Sequence, residues 1–223
     1  MHTTPIIVRL SESQIDQLFL FTKKKFVHWY DLQIEIVDHL ATCIEEAMTA
    51  DATLSFDSAL EGVYKKFGIF GFAKIVQERQ LNLEKSIKLK WWEEFRKIFR
   101  WPNFMLLFGI VELSYLLATH VERPTLYYYF LICYSPFFLY YYFTVHKDTK
   151  IRKQLLLMQN GSVYVLAHLF YDNLLLPFLV HGMSIVSFTL FLSIGIVIKI
   201  VSLKLYLKIR KEAQLLYPKV FTL

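Results

Sequence analysis

The run FMLLFGIVELSYLLATHV occupies residues 104–121 and contains a single charged residue, Glu112. A hydrocarbon core about 30 Å thick is crossed by roughly 20 predominantly apolar residues in a helix, so this run predicts a membrane span. Three further runs meet the same criterion, at residues 125–145, 162–180 and 184–203. A core helix of a soluble protein would carry a polar stripe over such a length, and these runs do not. The sequence therefore predicts four transmembrane helices.

The charge distribution agrees with this prediction. Residues 1–100 carry 14 Lys/Arg and 14 Asp/Glu, whereas residues 101–223 carry 11 against 5, so the whole formal charge of +6 belongs to the hydrophobic half. A nucleic-acid-binding domain needs its cations clustered on a soluble face, so no nucleic-acid partner is expected. The partner that the composition predicts is the lipid bilayer.

Positive charge in the connections predicts the orientation of the spans. Lysines and arginines cluster before the first span, between the second and third, and after the fourth, at residues 88–100, 147–153 and 204–219. The other two connections, residues 122–124 and 181–183, hold one cation between them. Because cations are retained on the cytoplasmic side, both termini are expected to be cytoplasmic. The chain is thus predicted to be a multi-pass protein of the plasma membrane.

Residues 1–85 predict a small cytoplasmic helical bundle. Ser11 and Gln14 have the spacing of a capping box, in which each side chain bonds the backbone amide of the other residue. A second helix is expected from about residue 31 to 49, and a third from Phe56 to Phe67, with Ser55 as its N-cap and Gly68 at its end. A fourth begins near residue 71. The predicted fold class is an all-α membrane protein, with this bundle preceding the four spans.

Residues 86–101 predict an amphipathic helix at the membrane surface. In the run WWEEFRKIFRW at 91–101, the apolar residues 91, 92, 95, 98 and 99 fall on one helical face, and cations lie beside them. An aromatic face flanked by cations suits a helix in the headgroup layer, so Trp91, Trp92, Phe95 and Trp101 are predicted interface residues. This helix could simply anchor the chain to the membrane, or it could couple movements of the helical bundle to the first span. The anchoring role is favoured. A transmembrane domain at 102–209 and a cytoplasmic tail at 210–223 complete the organisation.

The runs YDLQIEIVDHL at 30–40, SFDSAL at 55–60 and KFGIFGF at 66–72 resemble a family of uncharacterised bacterial four-span membrane proteins. They are also similar to the HAAS-type helical domain, with its acidic E-x-x-D-H-L helix, capped helix and glycine turn. The similarity covers about residues 10–80. It implies a cytoplasmic domain with a regulatory or signal-transducing role, and it brings no catalytic residues.

Three ionisable residues fall within the predicted spans, where such groups are costly and therefore candidates for function. Glu112 in the first span and Asp172 in the third are predicted to lie at similar depth near mid-membrane, and His168 is one turn from Asp172. The cluster could bind a proton or a metal ion, since burial and mutual charge shift the affinities of such groups. The favoured interpretation is that these groups satisfy one another and fix helix packing.

Two other polar patterns have ordinary interpretations. Glu35, His39 and Cys43 recur every four residues on one helix, but three ligands over two turns diverge, so surface residues are expected rather than a metal site. Lys199, near the end of the fourth span, is expected to extend toward the cytoplasm.

The chain contains no recognisable catalytic motif, so neither an enzyme nor a cofactor is expected. The main hypothesis is a regulatory, signal-transducing or scaffolding membrane protein whose cytoplasmic domain binds a protein partner. The alternative is a small proton- or ion-coupled transporter using Glu112, His168 and Asp172. Four spans are few for a transport path, so this alternative requires a homo-oligomer.

Overall fold

The computed structural model describes residues 8–122, 125, 139–140, 142–162 and 184–222. Within these ranges every regular element is a helix, which confirms the predicted all-α class for this part of the chain. The chain divides into two compact units: Met1–Asn82 with Lys153–Leu156, and Leu83–Arg152 with Leu157–Leu223. We refer to them as the amino-terminal unit and the carboxyl-terminal unit.

The helices of the amino-terminal unit begin where their capping signals lie. They are α1 (Glu12–Lys24), α2 (Tyr30–Ala50), α3 (Phe56–Lys65) and the first part of α4 (Ala73–Ile98). The capping box is confirmed, because Gln14 N–H donates to Ser11 Oγ at 3.3 Å and Ser11 N–H donates to Gln14 Oε1 at 2.8 Å. Ser55 Oγ accepts from the first turn of α3, as predicted. Residues 73–98 form one continuous helix, α4.

The core of the amino-terminal unit forms where α2 packs against α1 and α3. The apolar face predicted for α2 is buried there, with Leu40 and Ile44 fully inaccessible. The ring of Phe72 closes one side and meets the rings of Tyr64 and Phe67 edge-on, at centroid distances of 5.2 and 5.0 Å. Side chains at helical spacing on three short helices thus close one small core, as the sequence predicts.

A short segment distant in sequence also belongs to the amino-terminal unit. Asp31, 7% exposed at the start of α2, accepts a hydrogen bond from the backbone N–H of Leu156 at 3.0 Å. Leu155 and Leu156 are buried as well. Residues 153–156 lie between the second and third predicted spans, so this connection is packed into the core of the amino-terminal unit.

The carboxyl-terminal unit contains the remainder of α4, α5 (Asn103–His120) and α7 (Ile185–Leu216), with the short α8 (Pro218–Phe221) against α7. A further short helix, α6 (Thr149–Gln154), crosses the division between the units. Residues 142–147 and 156–162 are also helical. The helices α5 and α7 pack together through Ala118, Phe188 and Leu192.

By length and composition, two helices in the described ranges could cross a membrane: Asn103–His120 and Ile185–Leu216. They coincide with the first and fourth predicted spans. The predicted spans at 125–145 and 162–180 lie largely outside the described residues. A helix of 32 residues such as α7 is about 48 Å long, which exceeds a hydrocarbon core of about 30 Å by roughly 12 residues. The last 12 residues of α7, 205–216, include Lys208, Arg210 and Lys211.

Candidate functional sites

A buried carboxylate lies near the carboxyl end of α4. Glu94 is 6% exposed, and the Nζ atoms of three lysines contact its oxygens: Lys97 at 2.9 Å, and Lys204 and Lys208 of α7 at 3.4 Å each. The hydrogen bond from Lys97 is the main reason that the pKa of Glu94 lies below its ordinary value, although burial acts in the opposite direction. Glu94 is therefore the anionic centre of a basic cluster.

A cavity of about 180 Å³ adjoins this cluster. Its polar wall includes Glu94, Lys97, Asn103 and Lys204. The apolar wall comprises one residue of α4, three of α5 and three of α7: Ile98, Leu106, Leu107, Ile110, Val197, Ile200 and Val201. We call this cavity the Glu94 pocket. One wall suits a charged group and the other a hydrocarbon chain, so the pocket fits an amphipathic molecule.

The four predicted interface residues occupy different environments. Trp91 donates from Nε1 to Ser202 Oγ of α7 at 3.0 Å, and the ring of Phe95 stacks on its indole at a centroid distance of 5.2 Å. By contrast, Trp92 is 46% exposed and Trp101 is 77% exposed. Trp91 therefore ties α4 to α7, whereas Trp92 and Trp101 retain the exposed rings that contact with a lipid headgroup layer requires. Their placement at a membrane surface stays a prediction.

A second buried carboxylate forms an ion pair with an arginine and a hydrogen bond with a tyrosine. Asp148 is 1% exposed, and its Oδ2 accepts hydrogen bonds from Tyr206 Oη at 2.8 Å and Arg210 Nε at 2.7 Å. Tyr206 is fully buried. Because two strong donors converge on this carboxylate, the cluster acts as a structural tie between Asp148 and α7. The run KDTKIRK at 147–153 predicts only a basic connection, and no local signal identifies this pair.

The turn after α1 holds an aromatic residue in a strained backbone conformation. Phe26 has φ +68°. Its N–H donates to the carbonyl of Lys23, and the next N–H, of Val27, donates to the carbonyl of Thr22, each at 3.1 Å. This is a Schellman motif with Phe26 at the left-handed position that glycine usually occupies. The ring is 79% exposed, so burial does not offset the strain, which is about 1–2 kcal/mol for an L-residue.

A second turn of the amino-terminal unit presents two more exposed apolar residues. Ile69 and Phe70 are 101% and 78% exposed, between two glycines with positive φ. Both turns adjoin Tyr64: Lys25 Nζ lies 4.6 Å from its ring centroid, and a Cβ at Gly71 would collide with its hydroxyl. We call Phe26, Ile69 and Phe70 the exposed apolar surface of this unit.

Of the predicted intramembrane cluster, only Glu112 can be located. It is exposed near the middle of α5. His168 and Asp172 lie outside the described residues. That the three residues meet, and that they carry function, are statements that stay predictions.

The other two polar patterns are explained by ordinary contacts. Glu35 forms an ion pair with Arg79, and Cys43 Sγ lies 4.0 Å from His39 Nε2. In the parts of the chain that the structure describes, no group of three or more His, Cys, Asp or Glu residues could hold a metal ion. Lys199 is 6% exposed, so this residue is packed within the protein, and the expectation that its side chain extends toward the cytoplasm stays a prediction.

Comparisons of the chain with protein-family models, curated proteins and solved structures found no match. Sequence reasoning placed Glu94 on an interfacial helix and overlooked its burial, although its spacing of three residues from Lys97 was a visible signal. It also overlooked Phe26, which follows a lysine run at a helix end where glycine is customary.

Proposed function

We propose that the chain is a four-span protein of the bacterial inner membrane with cytoplasmic termini, and that its amino-terminal unit binds a protein partner in a regulatory, signal-transducing or scaffolding role. The exposed apolar surface is the observation that carries this proposal. Exposed apolar residues grouped at turns are typical of interaction sites. The two candidate membrane helices support the assignment to a membrane.

The strain at Phe26 strengthens the argument for a binding role. A glycine would satisfy the same Schellman hydrogen bonds without steric cost, and the exposed ring contributes little to the core. Retained backbone strain at an exposed position is typical of residues that serve binding rather than folding. Phe26 is therefore the proposed anchor for the partner.

The connection at residues 153–156 supplies a route from the partner to the membrane. It is held in the amino-terminal unit by the hydrogen bond from Leu156 to Asp31. In the proposed topology this connection joins the second and third spans, so a partner that shifts α2 would pull directly on both. The proposed signal thus passes through the packed connection.

Site-specific photocrosslinking of the full chain in native membranes tests the partner. A crosslinkable residue in place of Phe70 should capture one protein, and Phe26→Gly together with Ile69→Ser should abolish the capture at unchanged abundance. Leu81→Ser, which changes a 57% exposed residue of α4, is the matched control and should capture normally. Crosslinks to lipid alone, or capture that survives the double substitution, would disprove partner binding at this surface.

The native cysteine on α2 tests the orientation. Cys43 is partly exposed, so in a Cys133→Ser chain a membrane-impermeant maleimide should label it in inverted vesicles and not in intact spheroplasts. The reverse pattern would place the amino-terminal unit outside the cell and contradict the proposed topology.

A second candidate function rests on Glu112. A carboxylate exposed near the middle of an apolar helix is unfavourable in lipid and requires a partner or water, as in ion-coupled transporters. Proton or ion flux into liposomes should then fall in Glu112→Gln and Asp172→Asn chains that remain folded and abundant. Equal loss of abundance in both chains would instead indicate a packing role.

A further inference from the structure

From the Glu94 pocket we infer a binding site for an anionic phospholipid, with its phosphodiester at the lysines and one acyl chain along the apolar wall. The inference rests on the insertion of α5 and α7 into a bilayer, which is part of the proposed function. It adds to that function a specific ligand class and the residues that recognise it.

Charge is the first argument. Lys97, Lys204 and Lys208 surround Glu94, and among the residues that the structure describes Glu93 is the one other acid paired with them, 3.4 Å from Lys97. The cluster therefore retains an uncompensated positive charge. Two exposed arginines in the adjoining residues, Arg96 and Arg100, increase it. Basic pockets between transmembrane helices on the cytoplasmic side are typical sites for acidic headgroups.

The accessibility of the lysines is the second argument. Glu94 is 6% exposed, but the side chains of Lys204 and Lys208 are 65% and 57% exposed, so their ammonium groups can donate to a ligand while they stay near the carboxylate. An ammonium group has three donors, and one contact with Glu94 leaves others for a phosphate oxygen. The buried carboxylate thus positions the lysines.

The shape and size of the pocket favour a lipid over a soluble anion. Its apolar wall begins beside the basic cluster and runs along the first two turns of α5. The basic and apolar parts of the pocket therefore follow each other as the headgroup and the acyl chain do in a lipid. The cavity, at about 180 Å³, is smaller than the pockets of about 300–1,000 Å³ that enclose whole small molecules. A lipid needs only its phosphate and the start of one chain enclosed, since the rest stays in the bilayer.

The test is lipid binding by the full chain in mild detergent, measured by native mass spectrometry with chain-matched phosphatidylglycerol and phosphatidylcholine. The wild-type chain should bind phosphatidylglycerol more tightly than phosphatidylcholine. Lys204→Gln should weaken phosphatidylglycerol binding about fivefold, because a lysine near an anionic surface contributes about 1 kcal/mol. Phosphatidylcholine binding should change less, because its choline cation offsets the charge of its phosphodiester.

Three matched variants separate the site from general charge. Lys204→Arg keeps the cation and should bind within about twofold of wild type. Lys211→Gln, an exposed lysine on the same helix outside the pocket, should also stay within about twofold. Ile200→Trp fills the apolar wall and should reduce phosphatidylglycerol binding without any change of charge.

The outcomes that would refute the lipid site differ from the outcome that would also refute the proposed function. Equal affinity for the two lipids, equal effects of Lys204→Gln and Lys211→Gln, or normal binding by Ile200→Trp would each overturn the lipid site. Displacement of phosphatidylglycerol by millimolar inorganic phosphate would overturn it in favour of a soluble anion. Release of the chain from membranes by alkaline carbonate would overturn membrane insertion and the proposed function as well.

Discussion

Replacement of Phe26 by glycine or alanine isolates the strain that supports the partner proposal. Both substitutions remove the same exposed ring, so the difference in stability between them depends on the backbone. At φ +68° alanine bears the left-handed cost of about 1–2 kcal/mol, whereas glycine does not. Glycine loses about 0.5–1 kcal/mol more conformational entropy on folding. We therefore expect the glycine variant to be about 0.5–1 kcal/mol more stable than the alanine variant.

Hydrogen exchange of the full chain in detergent measures this difference within the amino-terminal unit. Amides in the cores of α1 and α2 should exchange about two- to fivefold more slowly in Phe26→Gly than in Phe26→Ala. The control is the same pair of substitutions at the preceding residue, Lys25, whose φ of −92° is ordinary. There Lys25→Ala should be more stable than Lys25→Gly. If Phe26→Ala were as stable as Phe26→Gly, residue 26 would not be strained. The argument for a retained functional aromatic would then fail.

Three further predictions concern the buried carboxylates. Tyr206→Phe should lower the free energy of unfolding by about 1.5–2 kcal/mol in a denaturant titration, since a hydrogen bond to a charged group is lost while Asp148 keeps its arginine. Asp31→Ala should accelerate exchange of the Leu156 amide about tenfold, because that amide loses its acceptor. The lowered pKa of Glu94 means that its stabilising contribution is complete above the ordinary value of 4.5 and is lost as the pH falls through the lowered pKa, which acid titration of unfolding measures.

Each of these has a matched control. Tyr115→Phe removes the same hydroxyl from a ring that is 46% exposed and should change stability by less than about 0.5 kcal/mol. Asp38→Ala changes an exposed acid on the same helix as Asp31 and should leave the Leu156 amide unaffected. A Glu94→Gln chain should lose less stability than wild type on acidification. An identical acid response in the two chains would contradict the lowered pKa.

Local signals in the sequence predict several of the elements that the structure describes, but not the short helices α6 and α8. Apolar runs predict α5 and the first part of α7, and the Ser11 capping box and the Ser55 cap locate the starts of α1 and α3. Gly68 lies just beyond the end of α3, with the positive φ that favours glycine. These features depend on residues within a few positions of one another, so hydropathy and hydrogen-bond stereochemistry determine them without knowledge of the fold.

The candidate sites could be predicted only in part. Trp91, Trp92, Phe95 and Trp101 are predicted interface residues because the aromatic pattern is visible in the chain, but the bond from Trp91 to Ser202 joins residues 111 positions apart. The burial of Glu94 likewise requires α7, whose lysines lie more than 100 residues later. Glu94 is not among the predicted site residues, because its own helix offers no reason for burial.

The sequence by itself determined that this protein is helical, where its amino-terminal helices begin, and which runs are apolar enough for lipid, because these properties follow from local steric preferences and the transfer of side chains from water. Only the tertiary structure decided that Asp31 holds residue 156, that Asp148 pairs with Tyr206 and Arg210, and that Lys204 and Lys208 meet the buried carboxylate of Glu94. Such pairings depend on distances between helices far apart in the chain, and one-dimensional periodicity does not encode them.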